Sequence, residues 1–450
     1  MAGQLSSAMP FVEAFDPVKH NLPGAELGWM KALRETGIEQ FNALGFPTPK
    51  QEAWKYTRLK SLEDTRYQPV TDEDGMTPLD VVPSVLPDPE DRPRLVFVNG
   101  RSRPEFWIEG DLPDGVTLEC LKDLLVNEED WTREHLGRIC ENFGQPLFAL
   151  NTAMMDSGFV LRVDAGVKVE QPIEIVFIGG ITDRPVAYFP RNLIVLGEGA
   201  QATLVKHHVG MGVGAYFANA VTEIEIGAGA TLRHYEVQAE AREATHLSTV
   251  HARVGRDATY ESFILSIGGR LSRNEVSVRL EGEGAHCGLN GAYLMRGREH
   301  CDHTTVIEHL VPNTSCREIF KGVLNDESRA VFQGRIVVHR DAQGSDGHQI
   351  CKTLLLSNGA EIDVKPELEI YADDVKCTHG AASGQMDETA LFYLRSRGVP
   401  EAQARNMLVQ SFLGEALEEI QSDEVRQAFT DQVTHWLPAA CFLSEEWRAA

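Results

Sequence analysis

The run "VLGEGAQATL" (195–204) returns downstream in altered form as "EIGAGATL" (225–232), "RVGRDATY" (253–260) and "RLEGEGAHC" (279–287). Aligned on their small residue, Ala200, Ala230, Ala258 and Ala285 fall 30, 28 and 27 residues apart. "LSNGAEIDV" (356–364) carries the pattern once more. Each is a Gly-centred turn between short β-rich runs, and helical periodicity is absent from about 160 to 376. A period of roughly 28 residues built from strand, turn and strand suits one coil of a β-solenoid, which buries its apolar side only by stacking on the next coil. A small residue fits where turn stacks on turn and leaves no room for bulk. A β-sandwich of short strands is the alternative, but a sandwich rarely keeps one turn motif at one spacing.

Helical segments flank this core. "GAELGWMKALRETGIEQFNALG" places Leu27, Met30, Leu33, Phe41 and Leu44 on one helical face, closed by "GFPTP". A polar stretch from 68 to 94 carries six prolines and reads as a linker or surface excursion. "RLVFVNG" (94–100) is a short strand with a turn, and the segment from Glu128 to about Met155 reads as helical. Beyond Gly384, "DETALFYLRSRG" predicts a helix ended by Gly398. "VPEAQARNMLVQSFLGEALEEI" carries a stripe of Leu408, Phe412, Ala416 and Ile420. A third helix starts after Ser422, a residue suited to cap it. The division expected is an N-terminal mixed domain over 1–155, a β core over 156–384 and a thin helical domain over 385–450.

Sixty-seven acidic residues against forty-two basic ones give a net charge of −25. That field repels nucleic acid and anionic membrane, and no basic patch offsets it. The eight cysteines are scattered with no CxxC pair, so neither a disulfide framework nor a zinc finger is indicated. The opening residues lack a signal-peptide pattern and no apolar run is long enough to span a bilayer, so a cytoplasmic protein is expected.

No P-loop, G-x-S-x-G elbow or H-E-x-x-H motif is present. Histidine and cysteine crowd the later coils: His286 and Cys287, His300, Cys301 and His303, Glu308 and His309, then Cys377 and His379 in "CTHG". Residues two apart on a strand share a face, so Cys377 and His379 could ligate one iron or zinc ion. They could instead form a thiolate–imidazole nucleophile pair, or be two satisfied polar residues at a strand end, the plainest reading of the spacing alone. Two ligands do not close a metal site, so a metal reading requires others from elsewhere. Glu361, Asp363, Glu367 and Glu369 are the acids that a β-helix polysaccharide-processing enzyme would use, but alternating charge on a solvated face explains them more cheaply.

"YADDVKCTHGAASGQMDETALFYLRSRGVP" (371–400), "EAWKYTRLKSL" (52–62) and "FALNTAMMDSGFVLRV" (148–163) together resemble the SufB/SufD family of the SUF iron–sulfur cluster assembly system. The resemblance runs from about residue 25 to 437. Gly380, where the SufB branch has glutamate, and the absence of cysteine from 356–368 favour the SufD branch. The resemblance implies a right-handed parallel β-helix and a non-catalytic scaffold. Its implied partners are SufB, paired through the β-helix, and the ATPase SufC, docked on the C-terminal helices. An open β-helix edge can also pair with its own copy, giving a homodimer in isolation. Nucleotide would then be handled by SufC and not bound by this chain. It also implies a transient iron–sulfur cluster shared with SufB, with His379 as a ligand at that interface and Cys377 in a weaker role. Cys287, Cys301, Cys316 and Cys351 are left to packing.

Overall fold

The computed structural model describes residues 2–76, 79–87, 89–139, 145–180, 182–212 and 214–441. Two long sheets run side by side, and from residue 190 onward the chain alternates between them strand by strand. One sheet ends in the order Tyr216–Ile226, Thr245–Val254, Leu271–Leu280, His300–His309, Arg329–Val338 and Glu361–Ile370. The other runs through Gln201–Gly210, Thr231–Glu240, Thr259–Gly268, His286–Met295, Ser315–Leu324, Ser345–Leu355 and Val375–Gln385. Pairing between these successive strands is parallel and in register, as in Tyr260↔Cys287 and Cys287↔Cys316. Parallel strands joined through turns and a facing sheet make a solenoid of about eight turns, the architecture expected from the repeat.

The repeat marks one corner of that solenoid. The amides of Thr231, Thr259 and His286 donate to the carbonyls of Ala200, Ala230 and Ala258, one coil back. All four alanines are fully buried. The residue before each adopts a left-handed backbone: Gly199 (φ 69), Gly229 (φ 66), Asp257 (φ 54) and Gly284 (φ 75). Asn313 and Gly344 continue the column at φ 57 and 74, where Asn tolerates the geometry better than most L residues do. "LSNGAEIDV" departs from this. It leads into Glu361–Ile370 in the other sheet, and the Glu361 amide donates to Ser328, so it lies on the opposite corner. The likeness is local only, since Gly359, which precedes Ala360, does not take the left-handed backbone of the first corner's column.

Strands from within the first 155 residues extend both sheets. Arg94–Val98 pairs with Ile173–Gly179, and Val116–Cys120 pairs with Phe159–Val163. The stretch from Glu128 to Met155 contains two helices, Glu129–His135 and Pro146–Met154, and residues 140–144 lie outside the described set. Gly28–Leu44 packs on Pro146–Met154 so closely at Gly37 that a Cβ would sit 2.8 Å from the Ala149 carbonyl. Its buried face holds Met30, Arg34, Gly37, Ile38 and Phe41. Leu44, expected on that face, is exposed, because Phe46 turns back after Gly45 and packs on Phe41 at 5.1 Å.

"EAWKYT" clamps the N-terminal segment onto a sheet's outer face. The Arg273 guanidinium lies 3.9 Å from the Trp54 ring centre and donates to the Ala53 carbonyl, while Thr57 bonds Asp302 and His300. The proline-bearing 68–94 stretch is fastened as a strap: Gln68–Pro69 pairs with Val186–Ala187, Ser84 and Val85 donate to buried Glu174, and Arg92 pairs with Glu424.

The C-terminal helices Glu388–Ser396, Glu401–Leu417 and Asp423–Cys441 cover the outer face of the second sheet. Phe429 meets Tyr235 and Phe263, while Val409, Leu413 and Leu417 fill the seam. The buried stripe is rotated from the expected one: Ala416 and Ile420 are buried, while Leu408 and Phe412 are half-buried at its margin. Gly398 adopts φ 89 just past the first of these helices, and Ser422 Oγ accepts from the Val425 amide at the third. Among the described residues no helix is long and apolar enough to cross a membrane.

Candidate functional site at the open end of the solenoid

Both sheets stop at a full-length edge. Glu361–Ile370 ends one and Val375–Gln385 ends the other, each bonded to a neighbour on one side only. Such an edge presents a row of unpaired N–H and C=O groups to any strand that approaches. The core is cut open here: Ile362, Val364, Leu368 and Val375 point inward yet stay partly exposed. Of eleven large hydrophobic residues exposed among the described residues, six fall in this region: Ile350, Ile370, Tyr371, Phe392, Tyr393 and Met407. A groove of about 340 Å³ runs between Ala382–Gln385 and the helix residues Leu408 and Phe412.

Cys377 and His379 occupy this last strand. Register puts Cys377 beside Gly347 and His379 beside Gln349, both on the inward side of the pleat. Cys377 is half-buried against the core, and burial raises its thiol pKa although the Gly347 amide opposes this. His379 is exposed at the rim. Among the described residues no hydrogen bond joins the two, and the thiol is not activated as a nucleophile pair requires. They share a face as strand periodicity predicts, and that face opens at the solenoid end.

The register also extends inward from His379. Gln349 donates to Glu318 at 2.5 Å, and burial pushes the Glu318 carboxyl up to about 7. Nearer the corner, Cys287, Cys316, Gly347 and Cys377 form one ladder. Cys316 Sγ lies 3.2 Å from His309 Nε2.

The remaining candidates separate. Cys287, Cys301, Cys316 and Cys351 are buried, and burial raises each thiol, Cys301 and Cys351 to about 12. His286 bonds Ser315 and His300 bonds Thr57. His303 packs between Tyr293 and Phe320, with burial lowering it to about 4. Glu361 and Asp363 pair with Arg329, and Glu369 with Arg335, across strands, while Glu367 pairs with Lys365 on its own strand, so these carboxylates are engaged in ion pairs.

Sequence reading missed the polar interior. In "LRHYEVQAE" (232–240), alternation places His234, Glu236, Gln238 and Glu240 inward, all buried, while Tyr235 and Val237 face the C-terminal helices. The period-two signal is present, but in a two-sided strand it does not say which side is the core.

Residues 178–412 match the family model described as SUF system FeS cluster assembly, SufBD core domain, and residues 6–175 match the SufBD protein N-terminal region. The chain is 31% identical to the iron–sulfur cluster assembly protein SufD of Escherichia coli over 93% of this chain and 96% of that one. A SufBD family protein of Synechocystis is 29% identical over 88% of this chain and 89% of its own length. SufB of Bacillus subtilis is 30% identical over 66% and 64%.

Proposed function

The chain belongs to the SufBD family of iron–sulfur cluster assembly proteins, and we propose that within it the chain is a non-catalytic scaffold whose open solenoid end forms half of an assembly site. SufB is the partner proposed for that end. Two adjacent, full-length, unpaired parallel edges carry this reading, because a second solenoid can extend both ladders and cover the exposed core at once. His379, at the rim of the join, supplies a neutral imidazole to iron, and the partner supplies the remaining ligands. Cys377 is set back from the rim and plays the smaller part. The cluster is transient cargo of the shared site.

The SufC ATPase is proposed to dock on the C-terminal helices, where Phe392, Tyr393 and Met407 are exposed. Those helices lie on the strands that lead to the open end, so force applied to them reaches the joint. The second sheet edge also permits pairing with another copy of this chain when SufB is absent.

The test is co-expression of the His379→Ala variant with SufB and SufC, with iron and acid-labile sulfide measured in the purified complex. A complex of normal composition with depleted cluster is expected. Undiminished cluster would remove His379 from the mechanism, and failure to co-purify with SufB would reject the shared interface.

A further inference from the structure

Deep inside the solenoid, far along the coils from the open end, two histidines and a carboxylate converge. His208 on Gln201–Gly210 and Glu236 on Thr231–Glu240 come from adjacent strands of one sheet, and His246 on Thr245–Val254 faces them from the other. One donor atom from each lies within 4.8 Å of the others. All three side chains are at most 3% exposed. His208 Nε2, Glu236 Oε1 and both ring nitrogens of His246 lack a hydrogen-bond partner. Buried polar groups are ordinarily satisfied, so three such donors converging on one point, one from each residue, call for an occupant.

From this juxtaposition we propose that His208, Glu236 and His246 form an internal site for a divalent first-row metal ion of the iron(II) or zinc(II) class. Two imidazoles and one carboxylate suit those ions and leave coordination positions open, whereas calcium and magnesium prefer all-oxygen sites. The surroundings hold the donors in place. The His208 ring stacks on Phe177 at 4.8 Å with an interplanar angle of 6°, fixing its plane. Lys206 Nζ engages the other Glu236 oxygen, Oε2, at 2.5 Å and leaves Oε1 unbonded. Glu240 Oε1 lies 2.8 Å from His246 Nδ1, out of line for a hydrogen bond, and adds a second carboxylate beside the site. The ligands are internal to one chain, so the site requires neither SufB nor His379.

The test uses the full chain, expressed alone in medium supplemented with zinc or, anaerobically, with iron(II), then desalted and assayed by elemental mass spectrometry. About one equivalent of metal is expected in the wild type and in His379→Ala, with at least a tenfold loss in the His208→Gln/His246→Gln double variant. Cobalt(II) loading of the wild type should give d–d bands without thiolate-to-cobalt charge transfer, a readout that does not depend on a variant folding. Wild-type metal no higher than in the double variant, or a thiolate band placing the ion on cysteine, would overturn the proposal. A loss confined to His379→Ala would also overturn it while leaving the shared-interface reading standing.

Discussion

Gly347 separates Cys316 from Cys377 in one ladder, and a Cβ placed on it would sit 3.5 Å from both sulfurs. The two thiols therefore look toward each other over a missing side chain, one deep and one at the rim. Their reactivity should differ sharply. In the native protein Cys377 should be the first of Cys287, Cys301, Cys316, Cys351 and Cys377 to react with a thiol reagent, as read by peptide mass spectrometry. Its raised pKa keeps the rate low at pH 7 and lets it climb through and beyond pH 9. Labelling of Cys316 at an equal native rate would mean that the solenoid end is not ordered as described.

Arg191 and Glu223 are both fully buried and joined at 2.6 Å, with Asn151, Gly137 and Ile139 supplying further hydrogen bonds. Glu223→Ala should cost about 3–5 kcal/mol, because it strands a buried guanidinium. The urea midpoint of the purified chain checks this, and a shift worth less than about 1 kcal/mol would show that solvent reaches the arginine.

Trp54 should act as a fastener and not as a ligand. Trp54→Ala removes a buried ring from beneath Arg273 and should destabilise by about 3–5 kcal/mol. Limited proteolysis should then cut near residues 50–66 while the solenoid core persists. Resistance equal to that of the wild type would dismiss the clamp.

Acid should loosen the fold. His251, His303 and His309 are each lowered by burial to about 4, so the unfolded chain binds more protons below pH 6.5 and stability falls as pH drops from 6.5 toward 4. Each histidine contributes up to about 1.4 kcal/mol per pH unit in that window. His303→Asn should flatten the stability–pH curve by about that slope, and an unchanged curve would refute the assignment.

Glu318 works in the opposite direction. Burial raises its carboxyl to about 7, so the folded chain binds the extra proton and stability declines as pH rises from about 4.5 to 7. Glu318→Gln should therefore be more stable than the wild type at pH 8, by roughly 1–3 kcal/mol. Equal stability at pH 8 would place that carboxyl in contact with solvent.

The coil repeat was legible because a corner imposes a local demand. A left-handed residue followed by a small one is needed wherever Ala200, Ala230, Ala258 and Ala285 stack, and the sequence must meet it each time. The wrong placement of 356–364 arises because a Gly–Ala pair reads the same in sequence whether or not its glycine is left-handed, and Gly359 is not. Cys377 and His379 were identifiable as one-face neighbours, but their position at an unpaired edge depends on how many coils precede them. The His208–Glu236–His246 cluster was not legible. His246 comes from the facing sheet, and such a meeting is fixed by stacking across the interior and not by sequence spacing.

The two unpaired edges at the open end also have a mechanical consequence. A strand added along Val375–Gln385 would share a row of hydrogen bonds running parallel to the join. Load directed along the strands stretches every bond in that row together, while load directed across them unzips the row one bond at a time. Such a seam resists sliding and yields readily to peeling, so the direction in which a motor pulled would decide whether the joint held or opened.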